Sequence, residues 1–437
     1  MLDGRPNVLL VVLDSVRARN CSCYGHRHDT TPFLESLAAD ATLYTQARAP
    51  SNWSLPSHVS LFTGVEAHAH RVTTHDRLKP GNTVFDTLTD RGYRTGLFTE
   101  NGFLASHEAG LHRAFGTVRT VPDGYDPVYD TTDHNPGPDG FYYADAFEAW
   151  RVSGTEPWAA CLNLMDAHRP FEPRARFDRW GDSRARGLQA DLPTRWEWEF
   201  HGGDRSYDRL SALERLYDGG IRQADAIVAR VVDRLRASGA LDNTLLVVCG
   251  DHGDGFGEPG LLDGEPPAVS HIVPMHESLL RVPLLVRPPG GTDGRTCHDP
   301  AALTAFPEVV ADTVDDGPVT DGFARDRVYT AKQPVTAELR ERFESACDDS
   351  ERFLAPSRAV YRPDPDDPRA VRKRYYWGDR AVECRLRTPG ESVIVTRITP
   401  DRVDTAFDDA DAGIRAPLDG RQVTDATREQ LSALGYY

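Results

Sequence analysis

The amino-acid sequence predicts an α/β protein with a mostly parallel central sheet and helices on both of its faces. Apolar runs bounded by polar or turn residues indicate buried strands, and segments with helical spacing lie between them. Strands that alternate with helices are typical of parallel sheets, because each crossover helix covers a face of the sheet. The predicted strands are residues 8–13, 95–99, 159–165, 244–249 and 282–286.

The clearest helical pattern covers residues 216–238. Apolar side chains such as Ile221, Ala224, Ile227 and Val231 recur there at intervals of three or four positions. Gly239 follows, and glycine is common just beyond the C-terminus of a helix. We therefore expect a long helix that ends at Gly239.

The character of the sequence changes after residue 318, which predicts a catalytic domain over 1–318 and a smaller α+β subdomain over 319–437 packed on it. Short alternating runs within 355–398 predict a small antiparallel sheet. Residues 424–437 begin with a capping threonine and have helical spacing, so they predict a closing helix. Residues 122–140 are rich in Asp, Pro, Gly and Tyr and predict a surface loop.

The chain of 437 residues is acidic, since 67 Asp and Glu residues against 50 Lys and Arg residues give a net charge of −17. Such a surface repels nucleic acids and anionic lipids, so neither is an expected partner. The apolar run at residues 8–13 is far too short for membrane insertion, and no basic segment with an apolar core stands before it, so we expect neither a membrane span there nor a secretory signal.

Cysteine and lysine usage bears on the cellular setting. The seven cysteines are an odd, scattered set, which indicates free thiols in a reducing compartment, and we expect a cytoplasmic protein. Lysine occurs only at Lys79, Lys332 and Lys373, and the other basic residues are arginine. An acidic, lysine-poor surface resembles that of halophilic proteins from salt-loving archaea, whereas a high-GC genome is the plainer explanation.

Polar residues follow three of the predicted strands at the point where each strand ends. Asp14 follows the first, Asp166 and His168 follow the third, and the pair Asp251-His252 follows the fourth. Ligands of such sheets bind beyond the carboxyl ends of the strands, so these side chains are expected to lie close together. Carboxylates with one imidazole suit Mn, Zn or Mg, and Ca less well. The alternative for the segment DHGDG is a polar turn after a strand.

The segment Ser54-Leu55-Pro56-Ser57-His58 predicts the start of a helix, because proline is favoured in the first helical turn. Ser54 then lies where backbone N–H groups and the helix dipole favour an anion. Beside a divalent metal its hydroxyl could attack a tetrahedral sulfur or phosphorus centre. His58 lies one turn further along the same helix face, within reach of the hydroxyl or of a bound anion. Alternatively, Ser54 only caps the helix and His58 faces solvent.

Together with the motifs given below, these residues resemble the sulfatase family of the alkaline phosphatase superfamily. The resemblance extends over most of the chain. The segment with the strongest resemblance contains the long helix, the fourth strand and the motif GDHGDGFGE. The resemblance implies an alkaline-phosphatase-like fold and a metal-dependent ester hydrolase. The other motifs that carry it are PNVLLVVLDSVRARNCSCYGHRHDTTPFLESLA, SLPSHVSLFTG, TVFDTLTDRGYRTGLFTENGF, LMDAHRPF, SHIVPMHESLLRVPLLVRPPG and REQLSALGY.

The resemblance also implies roles for individual residues. Ser54 matches the nucleophile and His168 matches a histidine that binds the substrate anion. His271 best matches a Lys or His that assists the leaving group, with His276 as a nearby competitor. The residues that match metal ligands are Asp14, Asp251 and His252.

The sequence departs from the family pattern at several of these positions. Sulfatases usually carry a second aspartate after the first strand, where this chain has Ser15, so a calcium-type cage of oxygens is one carboxylate short. His58 replaces the arginine of the nucleophile motif, and Glu100 and Asn101 stand near the usual Lys-x-His. In working sulfatases the nucleophile is oxidised to formylglycine, a modification that we do not expect at Ser54.

Three hypotheses follow from these residues. The first is a sulfuric ester hydrolase that holds one divalent metal ion (Ca, Mn, Mg or Zn) and uses Ser54 on a small-molecule or glycan sulfate ester. The second is a phosphoesterase or phosphotransferase that uses unmodified Ser54. The third is a degenerate, non-catalytic binding protein, suggested by the lost arginine and Lys-x-His positions.

Overall fold

The computed structural model describes residues 4–122, 139–193, 195–272, 275–315 and 322–418. Its strands in chain order are β1 Asn7–Leu13, β2 Thr42–Tyr44, β3 Ala47–Arg48, β4 Asp76–Leu78, β5 Arg94–Phe98, β6 Thr117–Arg119, β7 Trp158–Leu164, β8 Thr244–Gly250, β9 Gly255–Glu258, β10 Ala268–Ser270, β11 Leu284–Arg287, β12 Arg295–Cys297, β13 Ala301–Ala302, β14 Val328–Ala331, β15 Ser357–Pro363, β16 Val371–Trp377, β17 Arg380–Leu386, β18 Ser392–Ile398 and β19 Arg415–Pro417.

The α-helices are α1 Pro32–Leu37, α2 Ser54–Thr63, α3 Ala67–His70, α4 Val84–Asp90, α5 Gly102–Ala105, α6 Gly140–Arg151, α7 Ser183–Asp191, α8 Glu197–His201, α9 Leu210–Ala237, α10 Glu277–Leu280, α11 Phe306–Val314, α12 Ala337–Ala346, α13 Glu351–Leu354 and α14 Asp401–Asp404.

The centre of the fold is an 8-stranded sheet in the order β12-β2-β11-β8-β1-β7-β5-β6. Strands β8, β1, β7, β5 and β6 are mutually parallel. Alternate residues of β1 enter two separate cores: Leu9 and Val11 pack with α6 and α9, whereas Val8 and Leu10 pack with α2 and α11. The predicted α/β class, with helices on both faces of a mostly parallel sheet, is therefore confirmed.

All of the predicted strands are present, but one of them runs antiparallel to its neighbour. Strand β11, predicted over 282–286, begins at Leu284 and pairs with β8 in antiparallel orientation. Among the described residues between β8 and β11, the chain forms the hairpin β9-β10 and the short helix α10. A parallel pair needs a crossover long enough to return the chain to the opposite edge of the sheet, and the described part of this connection contains no such crossover helix.

The long helix extends further than predicted. Helix α9 begins at Leu210 instead of residue 216 and ends at Ala237, before Ser238 and Gly239. Gly239 has φ +71°, the left-handed conformation that favours glycine after a helix.

The predicted C-terminal antiparallel sheet is also confirmed. It is a 5-stranded sheet in the order β14-β15-β16-β17-β18, with each neighbouring pair antiparallel. The predicted closing helix at 424–437, most of the predicted loop at 122–140 and the predicted domain boundary at 318 lie outside the described residues. The seven cysteines are free, as predicted. None of the helices described is both long and apolar enough to cross a membrane.

Candidate active site

The carboxyl ends of the two central strands place the predicted acidic residues side by side. Asp14 directly follows β1 and Asp251 directly follows β8, and the last residues of these strands, Leu13 and Gly250, are paired in register. Both aspartates are fully buried. The sheet itself therefore brings together two carboxylates that are far apart in sequence.

His252 completes a group of three potential metal ligands with these aspartates. One ligand atom from each of Asp14, Asp251 and His252 lies within 4.8 Å of the others. The imidazole Nε2 is 3.5 Å from Asp251 Oδ2 and 3.9 Å from Asp14 Oδ1. Because His252 Nδ1–H donates to the Gly253 carbonyl at 2.9 Å, its Nε2 lone pair faces the carboxylates.

The hydrogen bonds of Asp251 indicate that this group fits a cation. Asp251 Oδ1 accepts from the backbone N–H groups of Ser15 at 3.1 Å and His252 at 2.9 Å. The buried Oδ2 atom accepts no hydrogen bond from the described residues. A buried carboxylate oxygen without a donor is costly unless a cation faces it, and two carboxylates with one imidazole are suitable ligands for a divalent ion. The predicted ligand set fits the metal.

Ser15, the residue that replaces a second aspartate, supports this group with its backbone. It adopts φ +60°, an unusual conformation for a residue other than glycine, and thereby points its N–H at Asp251. Its hydroxyl donates to Asp14 Oδ1 at 3.2 Å. Tyr217 of α9 donates its hydroxyl to the Ser15 carbonyl at 2.7 Å, which holds the turn in place.

Two asparagines orient the other oxygen of Asp14. Asn101 and Asn163 donate their side-chain N–H groups to Asp14 Oδ2 at 2.9 Å and 3.2 Å. In the sequence, Asn101 is visible only as a departure from the family pattern, and Asn163 was not among the predicted site residues. Asn163 could have been found, because it is a polar residue within the apolar run of β7.

Ser54 lies at the first position of α2 and faces His252. Trp53 is the N-cap residue of this helix, so the alternative in which the Ser54 hydroxyl caps the helix is wrong. The Ser54 hydroxyl instead lies 3.3 Å from His252 Nε2 and is almost completely buried. Pro56 occupies the first turn as predicted, and the positive end of the helix dipole lies at Ser54.

His58 is fully buried rather than facing solvent, so that alternative is also wrong. Its Nδ1–H donates to the backbone carbonyl of Ser54 at 2.8 Å, and the same nitrogen lies 3.6 Å from Asp251 Oδ2. The expected hydrogen bond to the Ser54 hydroxyl is not formed, because on a helix the side chain four residues on reaches the preceding carbonyl first. His58 therefore fixes the start of α2 and adds an imidazole next to Asp251.

His168 and His271 lie beside His252, whereas His276 lies elsewhere. The His271 ring centroid is 5.0 Å from that of His252 and 6.4 Å from that of His168. His168 is buried and donates Nδ1–H to the Arg169 carbonyl at 2.7 Å. His276 donates to the Pro266 carbonyl at 3.1 Å at the start of α10. Of the two competing histidines, the structure places His271 at the site.

Asp166, the remaining polar residue at this edge of the sheet, is bound to the helices. It accepts from Gln223 at 2.6 Å and from the backbone of Gly140 at 3.3 Å. It therefore joins α6 to α9 and does not face the ligand group.

The electrostatics of the site reflect two buried carboxylates beside imidazoles. Burial and the neighbouring Asp14 raise the pKa of Asp251. Burial opposes ionisation of Asp14, but His168, His252 and His58 together lower its pKa. Burial alone would lower the pKa of His252, but the carboxylates of Asp251 and Asp14 outweigh it and raise that pKa. Both carboxylates therefore depend on nearby positive charge to stay ionised.

A cavity of about 280 Å³ adjoins the site on the side of His271. It is lined by Asn52, Trp53 and His271, and by the basic side chains of Arg195, Lys332 and Arg342, of which Arg195 lies 3.7 Å from Glu197. Its described lining contains no Asp or Glu, although acidic residues outnumber basic ones in the whole chain. Apolar side chains complete the wall: Ile272, Pro334, Leu339 and Phe343.

Residues 6–313 match the model of the sulfatase family. The chain belongs to the sulfatase family. Among its relatives are human arylsulfatase A, 26% identical over 57% of this chain, and the choline-sulfatase of Rhizobium meliloti, 27% identical over 67% of this chain. The alignments cover 52% and 65% of those proteins, so the chain spans less than two thirds of their length.

The fold of this sulfatase-family chain is similar to that of solved structures. The phosphonate monoester hydrolase of Agrobacterium radiobacter aligns with a TM-score of 0.61 and 19% identity, over 88% of this chain and 89% of the hydrolase. The similarity confirms the alkaline-phosphatase-like fold that the sequence motifs implied.

Proposed function

We propose that this chain is a metal-dependent hydrolase that cleaves sulfate esters with Ser54 as the nucleophile. The observation that carries the proposal is the position of the Ser54 hydroxyl, 3.3 Å from His252 Nε2 at the N-terminus of α2. His252 belongs to the buried group with Asp14 and Asp251, so the hydroxyl lies at the edge of a set of metal ligands.

Asp14, Asp251 and His252 would hold the divalent ion, and this ion supplies positive charge that lowers the pKa of an adjacent hydroxyl and polarises the ester. Ser54 Oγ forms a bond to sulfur while the bond from sulfur to the alcohol oxygen breaks. His271 delivers a proton to the departing alcohol, and Ser54 releases its own proton. Water then bonds to the sulfur of the serine sulfate while the bond from sulfur to Ser54 Oγ breaks, and sulfate leaves. One proton of this water goes to His271 and the other to Ser54 Oγ, so the proton that Ser54 released in the first step is the one net proton of the hydrolysis.

His168 and the first turn of α2 supply the groups that bind the non-bridging sulfate oxygens. Because the Nδ1–H of His168 donates to the Arg169 carbonyl, Nε2 is the atom directed away from the backbone, and it donates to a sulfate oxygen when the imidazole is protonated. Backbone N–H groups at a helix N-terminus favour an anion. Burial of Ser54 limits water at the reacting atoms and strengthens these interactions.

The cavity beside His271 supports an anionic alcohol as the leaving group. The guanidinium groups of Arg195 and Arg342 contribute positive charge to its lining, while Trp53 and Phe343 provide apolar surface. A sulfate ester of a sugar acid or another anionic small molecule or glycan fits this lining. A cationic alcohol such as the choline named for the Rhizobium relative does not. The acidic, lysine-poor composition supports a salt-adapted setting, and the free cysteines support a cytoplasmic one.

A phosphoesterase or phosphotransferase is the second candidate, favoured by the residues that depart from the family. The nucleophile position holds a serine, which we expect to stay unmodified, and the Ser15 hydroxyl contacts Asp14 in place of a further carboxylate. An unmodified serine forms an ester adduct that water must cleave, which is common chemistry at phosphorus. A non-catalytic binding protein is the third, and the approach of Ser54 to His252 argues against it.

The test is an assay of the metal-loaded protein on aryl sulfate, aryl phosphate, phosphodiester and phosphonate substrates. Ser54→Ala should lower turnover by about 1,000-fold or more, because the attacking atom is removed. Ser57→Ala is the matched control, since Ser57 is buried in the same helix but donates to the Ser51 carbonyl. Preference for a phosphorus ester would select the second candidate, and absence of turnover with metal bound would select the third. Loss of two hydrogens at residue 54 by mass spectrometry would reveal formylglycine.

A further inference from the structure

A second group of ligand-type side chains lies outside the candidate active site. It consists of His26 and His28, in the segment between β1 and α1, and Asp218 in α9. His26 Nε2 is 3.0 Å from Asp218 Oδ2, and His28 Nδ1 is 2.6 Å from the same oxygen. Two imidazole nitrogens from neighbouring residues thus converge on one carboxylate oxygen that is 192 and 190 positions away in sequence.

Asp218 and His28 are each held in place by a contact outside this group. The opposite oxygen of Asp218 accepts from the Asn20 side chain at 2.6 Å, and Asp218 itself is buried. The His28 ring stacks on Trp180, with 4.7 Å between the ring centroids and 9° between the planes. Ligands oriented by outer contacts of this kind are characteristic of metal sites.

We propose that His26, His28 and Asp218 bind a zinc ion, with water as the fourth ligand. Zinc bonds to imidazole nitrogen and carboxylate oxygen are about 2.0–2.1 Å long, which places tetrahedral ligand atoms about 3.3 Å apart. The observed separations of 2.6 Å and 3.0 Å need only small movements of the rings to reach that spacing. Both histidines are partly exposed, so a water molecule has access to the fourth position. Two imidazoles favour zinc over magnesium or calcium, which prefer oxygen ligands.

The proposed zinc site is linked to the candidate active site by hydrogen bonds of Tyr217 and Ser15. Asp218 is adjacent in α9 to Tyr217, whose hydroxyl accepts from the Arg17 backbone at 3.0 Å and donates to the Ser15 carbonyl at 2.7 Å. Ser15 in turn directs its N–H at Asp251. Zinc at this position fastens the segment after β1 to α9 and so steadies the turn that supports the metal ligands. The proposal of a zinc site does not rest on the proposed hydrolysis of a sulfate ester.

The test measures zinc bound by the full chain after chelator treatment and dialysis against zinc alone. His26→Gln/His28→Gln should hold one ion fewer than wild type, that is about one instead of about two if the active-site group also takes zinc. Asp251→Asn is the matched control, because it alters the other group and should retain the ion at Asp218. Zinc should raise the thermal midpoint of wild type and Asp251→Asn, but its effect should be smaller in the double variant. Equal zinc content in wild type and the double variant would overturn the proposal.

A measurement on the wild type alone covers the case in which the double variant does not fold. Zinc should protect His26 and His28 from carbethoxylation, read by peptide mass spectrometry, and should leave the exposed His75 reactive. Equal labelling of the 26–28 peptide with and without zinc would show ordinary hydrogen bonds to Asp218 instead of a metal site. Failure of the active-site proposal would appear separately, as lost turnover with this peptide still protected.

Discussion

Two buried clusters of charged side chains differ in how their carboxylates are compensated. Around Glu277, near the C-terminal sheet, Arg48 and Lys373 each form an ion pair at 3.0 Å, and the Tyr361 hydroxyl donates at 2.8 Å. At the candidate active site, the ion-pair partners of Asp14 and Asp251 among the described residues are imidazoles. The Glu277 cluster therefore contains permanent cations, whereas the described ion-pair partners in the active-site cluster are histidines, which are charged only when protonated.

The pKa values of the two clusters follow from this difference. Burial raises the pKa of a carboxyl, but Arg48 and Lys373 outweigh burial at Glu277 and lower its pKa to about 2. At Asp251 burial and the neighbouring Asp14 win, and the pKa is raised. Permanent ion pairs thus serve the fold, whereas a carboxylate pair with imidazoles is suited to an added divalent cation.

The largest effect should come from Asp251→Asn, which tests the uncompensated cluster. Activity on the best ester should fall by about 1,000-fold, because a proposed metal ligand is lost. The metal-free protein should nevertheless melt at a higher temperature than the metal-free wild type, since one of two facing buried carboxylates becomes neutral. Calorimetry with and without chelator measures both states. Asp293→Asn, at an exposed position, should change neither activity nor melting.

Glu277→Gln should have the opposite effect on stability. Arg48 and Lys373 would stay buried without their carboxylate, so the free energy of unfolding should fall by about 3 kcal/mol. Urea unfolding monitored by circular dichroism gives this value. If Glu277→Gln and Asp251→Asn shift the stability of the metal-free protein in the same direction, the contrast between the two clusters is wrong.

The smallest effect concerns Lys332, a lysine whose Nζ donates to the carbonyls of Phe353 and Ala355. Burial lowers its pKa from 10.5 to about 7. Between pH about 7 and pH 10.5, Lys332 is protonated in the unfolded chain and largely neutral in the folded chain. The unfolded chain therefore binds more protons, and the stability of the wild type rises with pH. Lys332→Met removes this contribution and should stabilise most below pH 7, by about 1 kcal/mol or more. The gain should shrink toward pH 10.

Urea unfolding of Lys332→Met at pH 6.5 and 9.5 checks this dependence. Lys373→Met is the matched control, because Lys373 has Glu277 as an ion-pair partner and its loss should destabilise the protein. A stability gain of Lys332→Met that does not change with pH would contradict the assignment.

Sequence patterns were informative wherever a local rule governs the structure. The apolar runs located the main strands because buried parallel strands are apolar on both faces. The rule that ligands bind beyond the carboxyl ends of strands grouped Asp14 with Asp251 and His252. The same rule wrongly brought in Asp166, because an edge position does not determine which way a side chain turns. The role of Asn163 was not predicted, because this rule concerns residues that follow a strand and Asn163 lies within β7.

By itself, the sequence determined the α/β class, the helix that begins near Ser54 and the three candidate metal ligands, because these depend on periodicity and on strand termini. Only the tertiary structure decided that β11 runs antiparallel, that His58 faces Asp251, and that His271 rather than His276 stands beside His252. Only it joined His26 and His28 to Asp218. Contacts of this kind depend on the packing of segments that are distant in the chain, and local sequence patterns do not determine that packing.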